Sequence, residues 1–234
     1  MKPFSRPPRT PCKLSDSLHH QLNMYALVAS AAGVGLLAAG QSAEAKVVYT
    51  PAHKWIPVNQ YFYLDLNHDG VNDFRFFLTS NHVAPRISFA YDLRVEQADR
   101  AQSRNQIYSI ASQDLICAAA LPKGTKVGPK GPFRYSALSM FINFQGTDGG
   151  LYGCPWLRVT KSAYLGLQFS IKGRAHYGWA RIGHISHWRP AKAELTGYAY
   201  ETVPNKAIIA GKTKGPDVVT VQPDSLGRLA LGRK

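Results

Sequence analysis

Hydrophobic and polar residues alternate with a period of two along several stretches of this chain. Ile87, Phe89, Tyr91 and Leu93 alternate with Arg86, Ser88, Ala90, Asp92 and Arg94. Leu165, Leu167, Phe169 and Ile171 alternate with Gly166, Gln168, Ser170 and Lys172. Successive side chains of a strand point to opposite faces, so these runs predict strands with one face buried. The second run meets Gly173-Arg174, and Tyr177–Ile182 returns, which predicts a hairpin. Further strands are expected at Val47–Thr50, Tyr61–Leu66, Asp73–Thr79, Phe133–Phe144 and Leu195–Glu201, with shorter apolar runs at Ile107–Ile110 and Leu115–Ala120. Glu96–Gln106 reads as a polar loop or short helical turn, and the Gly/Pro/Lys segment 121–132 as a long loop. No helical period separates the strands and no internal repeat is visible. The expected fold class is all-β, a β-sandwich or jelly roll spanning residues 46–211, with 212–234 as a flexible tail.

The pattern changes at the N-terminus. Residues 2–23 are basic and polar, residues 24–40 are almost wholly apolar, and Ala43-Glu44-Ala45 follows. A positive start, an apolar middle and a small-x-small end make a secretory signal peptide, helical in its apolar part, with cleavage after Ala45. The alternative is an uncleaved anchor, although a membrane span wants about 20 apolar residues. The expected location is therefore the cell envelope or the exterior, with no transmembrane span in the mature chain.

Composition agrees with a folded, exported β protein. Hydrophobic residues make up 45% and charged residues 18%, so a core can form and global disorder is excluded. The net charge is +14; residues 1–45 hold four basic and two acidic residues, leaving 24 against 12 and a net +12. Such a surface attracts acidic glycans, anionic lipid or nucleic acid through charge alone. No tight Lys/Arg cluster is present and export argues against nucleic acid, so no specific nucleic-acid partner is expected. Beyond Cys12, the only cysteines are Cys117 and Cys154. In an oxidising compartment they can pair; otherwise they are two separate buried thiols.

The sharpest chemical signal lies between the strands Tyr61–Leu64 and Phe74–Leu78. Asp65, Asn67, Asp69 and Asp73 fall at positions 1, 3, 5 and 9 of a loop, with Gly70 at position 6. This is the oxygen spacing that a hard cation needs: four side-chain oxygens, a fifth from the Val71 carbonyl, and a turn that glycine permits. Position 12 is Phe76, not the glutamate of an EF-hand, and the flanks are strands. The loop resembles the calcium loops of integrin-type and similar extracellular repeats, closed by an aspartate at position 9. That resemblance covers nine residues and implies a structural Ca²⁺ of about 10⁻⁴–10⁻³ M affinity or tighter. The plain alternative is a metal-free hairpin, since Asn, Asp and Gly are common turn formers.

Other constellations are less specific. His176, His184 and His187 are close in sequence, but strand geometry separates the faces of the last two. Trp156, Trp179 and Trp188 could offer a sugar-stacking platform or could be packing residues. Glu96, Glu194 and Glu201 are the only glutamates after residue 45, and Glu201 is the first suspect if the chain is a glycosidase. Nucleophile-elbow and phosphate-loop motifs are absent.

His176-Tyr-Gly-Trp-Ala-Arg-Ile182, followed by Leu195-Thr-Gly-Tyr-Ala-Tyr-Glu201, resembles a group of uncharacterised secreted bacterial proteins with YGWARL and LTGYAYE strands. Tyr164–Ile171 and Tyr63–Gly70 are similar to the same group. Many of its members carry a PEP-type C-terminal sorting signal. Pro223–Gly232 resembles the opening of one, without Pro-Glu-Pro and with Arg228 inside the apolar stretch. The resemblance implies a secreted β-sandwich and no particular reaction. The expected function is a non-enzymatic envelope or extracellular role with one structural calcium loop; the alternative is a carbohydrate-binding or glycan-hydrolysing domain.

Overall fold

The computed structural model describes residues 46–83, 87–99, 104–112, 114–146, 150–187 and 190–222. The expected signal peptide (1–45), Trp188 and the sorting-signal segment (223–234) lie outside the described residues. The strands are β1 (Val47–Trp55), β2 (Tyr61–Leu64), β3 (Phe74–Val83), β4 (Ile87–Gln97), β5 (Gln106–Ser112), β6 (Leu115–Ala118), β7 (Lys126–Val127), β8 (Phe133–Arg134), β9 (Leu138–Gly146), β10 (Gly150–Tyr152), β11 (Ser162–Ile171), β12 (Arg174–Ser186), β13 (Lys192–Glu201), β14 (Ile208–Ile209) and β15 (Val218–Thr220). A single 3₁₀ turn among the described residues, Pro155–Arg158, precedes β11. The fold is all-β, as the alternation requires.

Thirteen strands form one folded sheet in the order β15-β1-β13-β12-β11-β5-β6-β9-β4-β3-β2, with β8 and β10 on side branches. The corner is β5. Ile107 pairs with β11 and β8, whereas Ser109–Ser112 pair with β6. A strand that belongs to both halves turns two facing layers into one continuous sheet. Two contacts are parallel, β1 with β15 and β6 with β9, so the sheet is mixed and not the purely antiparallel arrangement of a simple jelly roll.

One core takes side chains from both halves. Leu64, Phe74, Phe76, Leu78, Leu93, Val95 and Met140 come from one layer; Leu165, Leu167, Phe169, Ile182 and Leu195 come from the other. A second cluster lies on the opposite face of β11–β13, where Tyr164, Tyr177, Trp179 and Ala199 meet Leu121, Val127, Ile208 and Ala210. The segment expected to be a bare loop at 121–132 therefore covers this face. It is pinned by the β7–β14 pair and by the bridge between Leu121 and Tyr164.

The β11–β12 hairpin forms as the alternation predicts, in continuous register from Ser162↔Gly183 to Ile171↔Arg174. Its two-residue connection, Lys172 and Gly173, has both φ angles positive, the geometry that suits the strand twist. Several strand ends differ from expectation by a few residues, and three differences change the architecture. β4 continues to Gln97, because Val95 is buried and the Gln97 amide donates to the Asn105 carbonyl at 2.8 Å. Phe133–Phe144 is two strands, since β8 joins β5 while β9 joins β4 in the other layer. The domain also runs past residue 211: β15 lies along β1, and the Val47 N–H donates to the Asp217 carbonyl at 2.7 Å.

Cys117 and Cys154 form a disulfide across a sequence separation of 37 residues, linking β6 to the 3₁₀ turn. Closing a loop of this size restricts the unfolded chain, a contribution of about 3–4 kcal/mol. Replacing both cysteines by alanine should lower the urea midpoint of unfolding correspondingly. An unchanged midpoint would show the bond to be without consequence for stability.

Candidate metal centre

The loop 65–73 connects β2 to β3, whose register runs from Tyr61↔Phe77 to Leu64↔Phe74. The Asp65 carboxylate sits at the centre of the turn. Its Oδ1 accepts the N–H groups of His68 (2.7 Å) and Asp69 (3.3 Å), and its Oδ2 accepts that of Gly70 (2.8 Å). His68 and Gly70 both have positive φ, at 63° and 87°. An alanine at Gly70 would meet no neighbouring atom but would be strained by that backbone. Asp69 Oδ1 accepts the Val71 N–H at 2.8 Å, and its Oδ2 accepts the Asn67 amide at 2.9 Å. The sequence pattern thus folds into a turn in which carboxylates gather backbone N–H groups, an arrangement common to Asp/Asn-rich turns with or without an ion.

Asp73 closes the loop from beneath. Its Oδ2 accepts the Leu66 N–H at 2.8 Å and its Oδ1 accepts the Asn105 amide at 3.3 Å. The residue is 7% exposed. Its pKa is raised to about 7, chiefly by burial, with the charges of Asp65 and Asp69 adding to the rise and the Leu66 and Asn105 hydrogen bonds opposing it. The side-chain oxygen of Asn67, Oδ1, is buried and has no hydrogen-bond partner. Three acidic side chains that feel each other and an orphaned acceptor oxygen in the same loop fit an oxygen-liganded cation by their chemistry. Among the described residues no three His, Cys, Asp or Glu side chains are already gathered as a metal cage. Holding an ion would require Asp73 to ionise and the Val71 carbonyl to join the set.

His68 is turned away from the carboxylates. Its Nε2 lies 2.8 Å from Thr50 Oγ1, and its ring is 5.6 Å from that of Tyr198. Burial lowers its pKa despite the charge of Asp65. The same loop acts on the strand behind it: burial pushes the Tyr198 phenol up to about 12, with Asp65 adding to the shift.

The aromatic platform is corrected by burial. Trp156 and Trp179 are both 0% exposed, and they lie in different clusters. Neither has a surface on which a sugar could stack. The exposed aromatic side chains among the described residues are Trp55, Tyr61, Tyr63 and Tyr135, which no sequence motif marked. The three histidines also go separate ways. His176 meets the Glu201 carbonyl, His184 meets the Glu194 carboxylate, and His187 meets the Trp156 carbonyl. Glu96, Glu194 and Glu201 each have a partner: Glu96 pairs with the Arg75 guanidinium, Glu201 with the Lys206 ammonium, and Glu194 lies against the His53 and His184 imidazoles. Glu201 is 2% exposed and accepts the Val203 N–H, a local structural role.

Comparison with known proteins leaves these residues to speak for themselves: no family model, no curated protein and no solved structure matches the chain. Among the described residues no helix is long and apolar enough to cross a membrane.

Proposed function

We propose that this chain is an exported, non-enzymatic β protein whose 65–73 loop binds Ca²⁺ as a structural ion, with a binding or structural role at the cell envelope or outside the cell. The observation that carries the reading is the Asp65, Asp69 and Asp73 constellation with the unpartnered Asn67 oxygen. Asp65, Asn67, Asp69, Asp73 and the Val71 carbonyl would hold the ion. Its charge would offset the burial, and the smaller repulsion from Asp65 and Asp69, that raise the Asp73 pKa. The disulfide supports an oxidising compartment, where such bonds persist. The salt bridges of Glu96 and Glu201 and the imidazole contacts of Glu194 favour structural roles for these carboxylates over those of glycosidase acids. The likeness to secreted YGWARL/LTGYAYE proteins points the same way.

Thermal unfolding with added Ca²⁺ and then chelator tests the ion. At a hundredfold its Kd, Ca²⁺ should stabilise the purified protein by about 2.7 kcal/mol. Asp69→Ala should lower the Tm more in Ca²⁺ than in chelator, where only its bonds to Val71 and Asn67 are lost. Equal losses in the two buffers would reject the site.

A further inference from the structure

A cavity of about 510 Å³ opens where the 128–131 turn meets the 205–207 turn. Three lysines, Lys126, Lys130 and Lys206, and no aspartate or glutamate are among its lining residues. Lys206 has a carboxylate beside it, Glu201 at 3.3 Å, whereas Lys126 and Lys130 are exposed and make no ion pair among the described residues. The remaining wall is Tyr108, Gly128, Pro129, Gly131, Asn205 and Ala207.

The cavity is built in advance. Gly131 N–H donates to the Gly128 carbonyl at 2.8 Å, and both Ser109 N–H and its hydroxyl hold the Pro132 carbonyl. Asn205 N–H donates to the Ala175 carbonyl at 2.8 Å, which ties the other wall to β12. The two glycines are required by close approach. A Cβ at Gly128 would stand 2.5 Å from the Ala207 Cβ, and one at Gly131 would stand 2.7 Å from the Tyr108 ring. The size is that of a small-molecule site, and preformed walls lower the ordering cost of binding.

We propose that this cavity binds an acidic saccharide, with its carboxylate between Lys126 and Lys130 and its C–H face against Tyr108, Pro129 and Ala207. Lysine ammonium groups suit a carboxylate approached from several directions. An apolar wall adds what a bare inorganic anion cannot use. This site is separate from the 65–73 loop and stands whether or not that loop binds an ion.

The test is calorimetric titration of the purified protein with a galacturonate trimer, a neutral glucose trimer and inorganic phosphate. The acidic trimer should bind saturably with a Kd below about 1 mM, and neither control should match it. Lys126→Ala/Lys130→Ala should weaken binding at least about tenfold, as removing two of three charges from one site demands. Lys161→Ala/Lys192→Ala removes the same charge from exposed lysines outside the cavity and should change it less than about twofold. Equal losses in the two double variants would assign binding to diffuse charge and overturn the proposal. So would phosphate or the neutral trimer binding as well as the acid, or no saturable binding at all. All four lysines are exposed, so neither variant endangers the fold.

Discussion

In chelator, the stability contributed by Asp73 should be lost as the pH rises from about 4 to about 7, and Ca²⁺ should abolish that part of the pH dependence, leaving the same-sense contribution of buried Asp92 in place. The cause is Asp73, whose folded-state pKa lies at about 7 against an ordinary 3.8. A folded pKa raised above the unfolded one means that the native state holds the extra proton between the two values. The associated stability is fully present below the unfolded value and is lost as the pH passes through the folded one. The shift corresponds to about 3–4 kcal/mol at neutral pH. His68 and His187 act in the opposite sense, because burial lowers both of their pKa values and favours the folded state as the pH rises. The measurement is therefore the difference in unfolding free energy between the protein and Asp73→Asn, from pH 4.5 to 8. Asparagine keeps an acceptor for the Leu66 N–H without a proton to lose. The difference should grow in favour of Asp73→Asn toward pH 8 in chelator and reverse in Ca²⁺. A flat difference in chelator would show that Asp73 ionises normally.

The second large effect is expected from Trp156→Ala, a loss of about 5 kcal/mol. Trp156 is fully buried against the main core. Its indole N–H donates to the Ala118 carbonyl at 3.0 Å, and its own carbonyl meets His187 Nε2 at 2.9 Å. Truncation empties a large volume beside the disulfide and strands a buried acceptor, two costs that add. Denaturant unfolding gives the value directly. A loss near 1 kcal/mol would mean that the 3₁₀ turn collapses onto the gap and that the residue is not an anchor. Trp156→Phe should recover most of the packing and none of the hydrogen bond.

Strand positions were legible wherever apolar and small or polar residues alternate or a turn is tight, even where both faces prove to be covered, as in β11. Period two exposed β4 and β11, and Lys172-Gly173 marked the hairpin. The loop 65–73 was legible because its chemistry is local: Asp65 reaches only as far as Gly70. Burial was not legible. Tyr164, Tyr177 and Trp179 face away from the main core, which is ordinarily an exposed position, and only the fold of 119–134 and 203–211 reveals that they are covered. The same cover creates the lysine-lined cavity, whose members come from three separate stretches of the sequence. Gly178 shows the limit from the other side. The motif around it is conspicuous, but its reason lies in contacts: a Cβ there would stand 2.7 Å from the Ala199 carbonyl and 2.8 Å from Leu66.

The position of β1 has a consequence for how the chain is made. It lies between β13 and β15, so both of its neighbours come from the last quarter of the sequence. A ribosome delivers β1 first and its neighbours some 150 residues later, as the Val47↔Glu201 pairing requires. Until then the strand has no edge to join, and the sheet cannot close behind a partly synthesised chain. Loop closure over that distance is a slow step in folding. The first strand to emerge is the last to be locked.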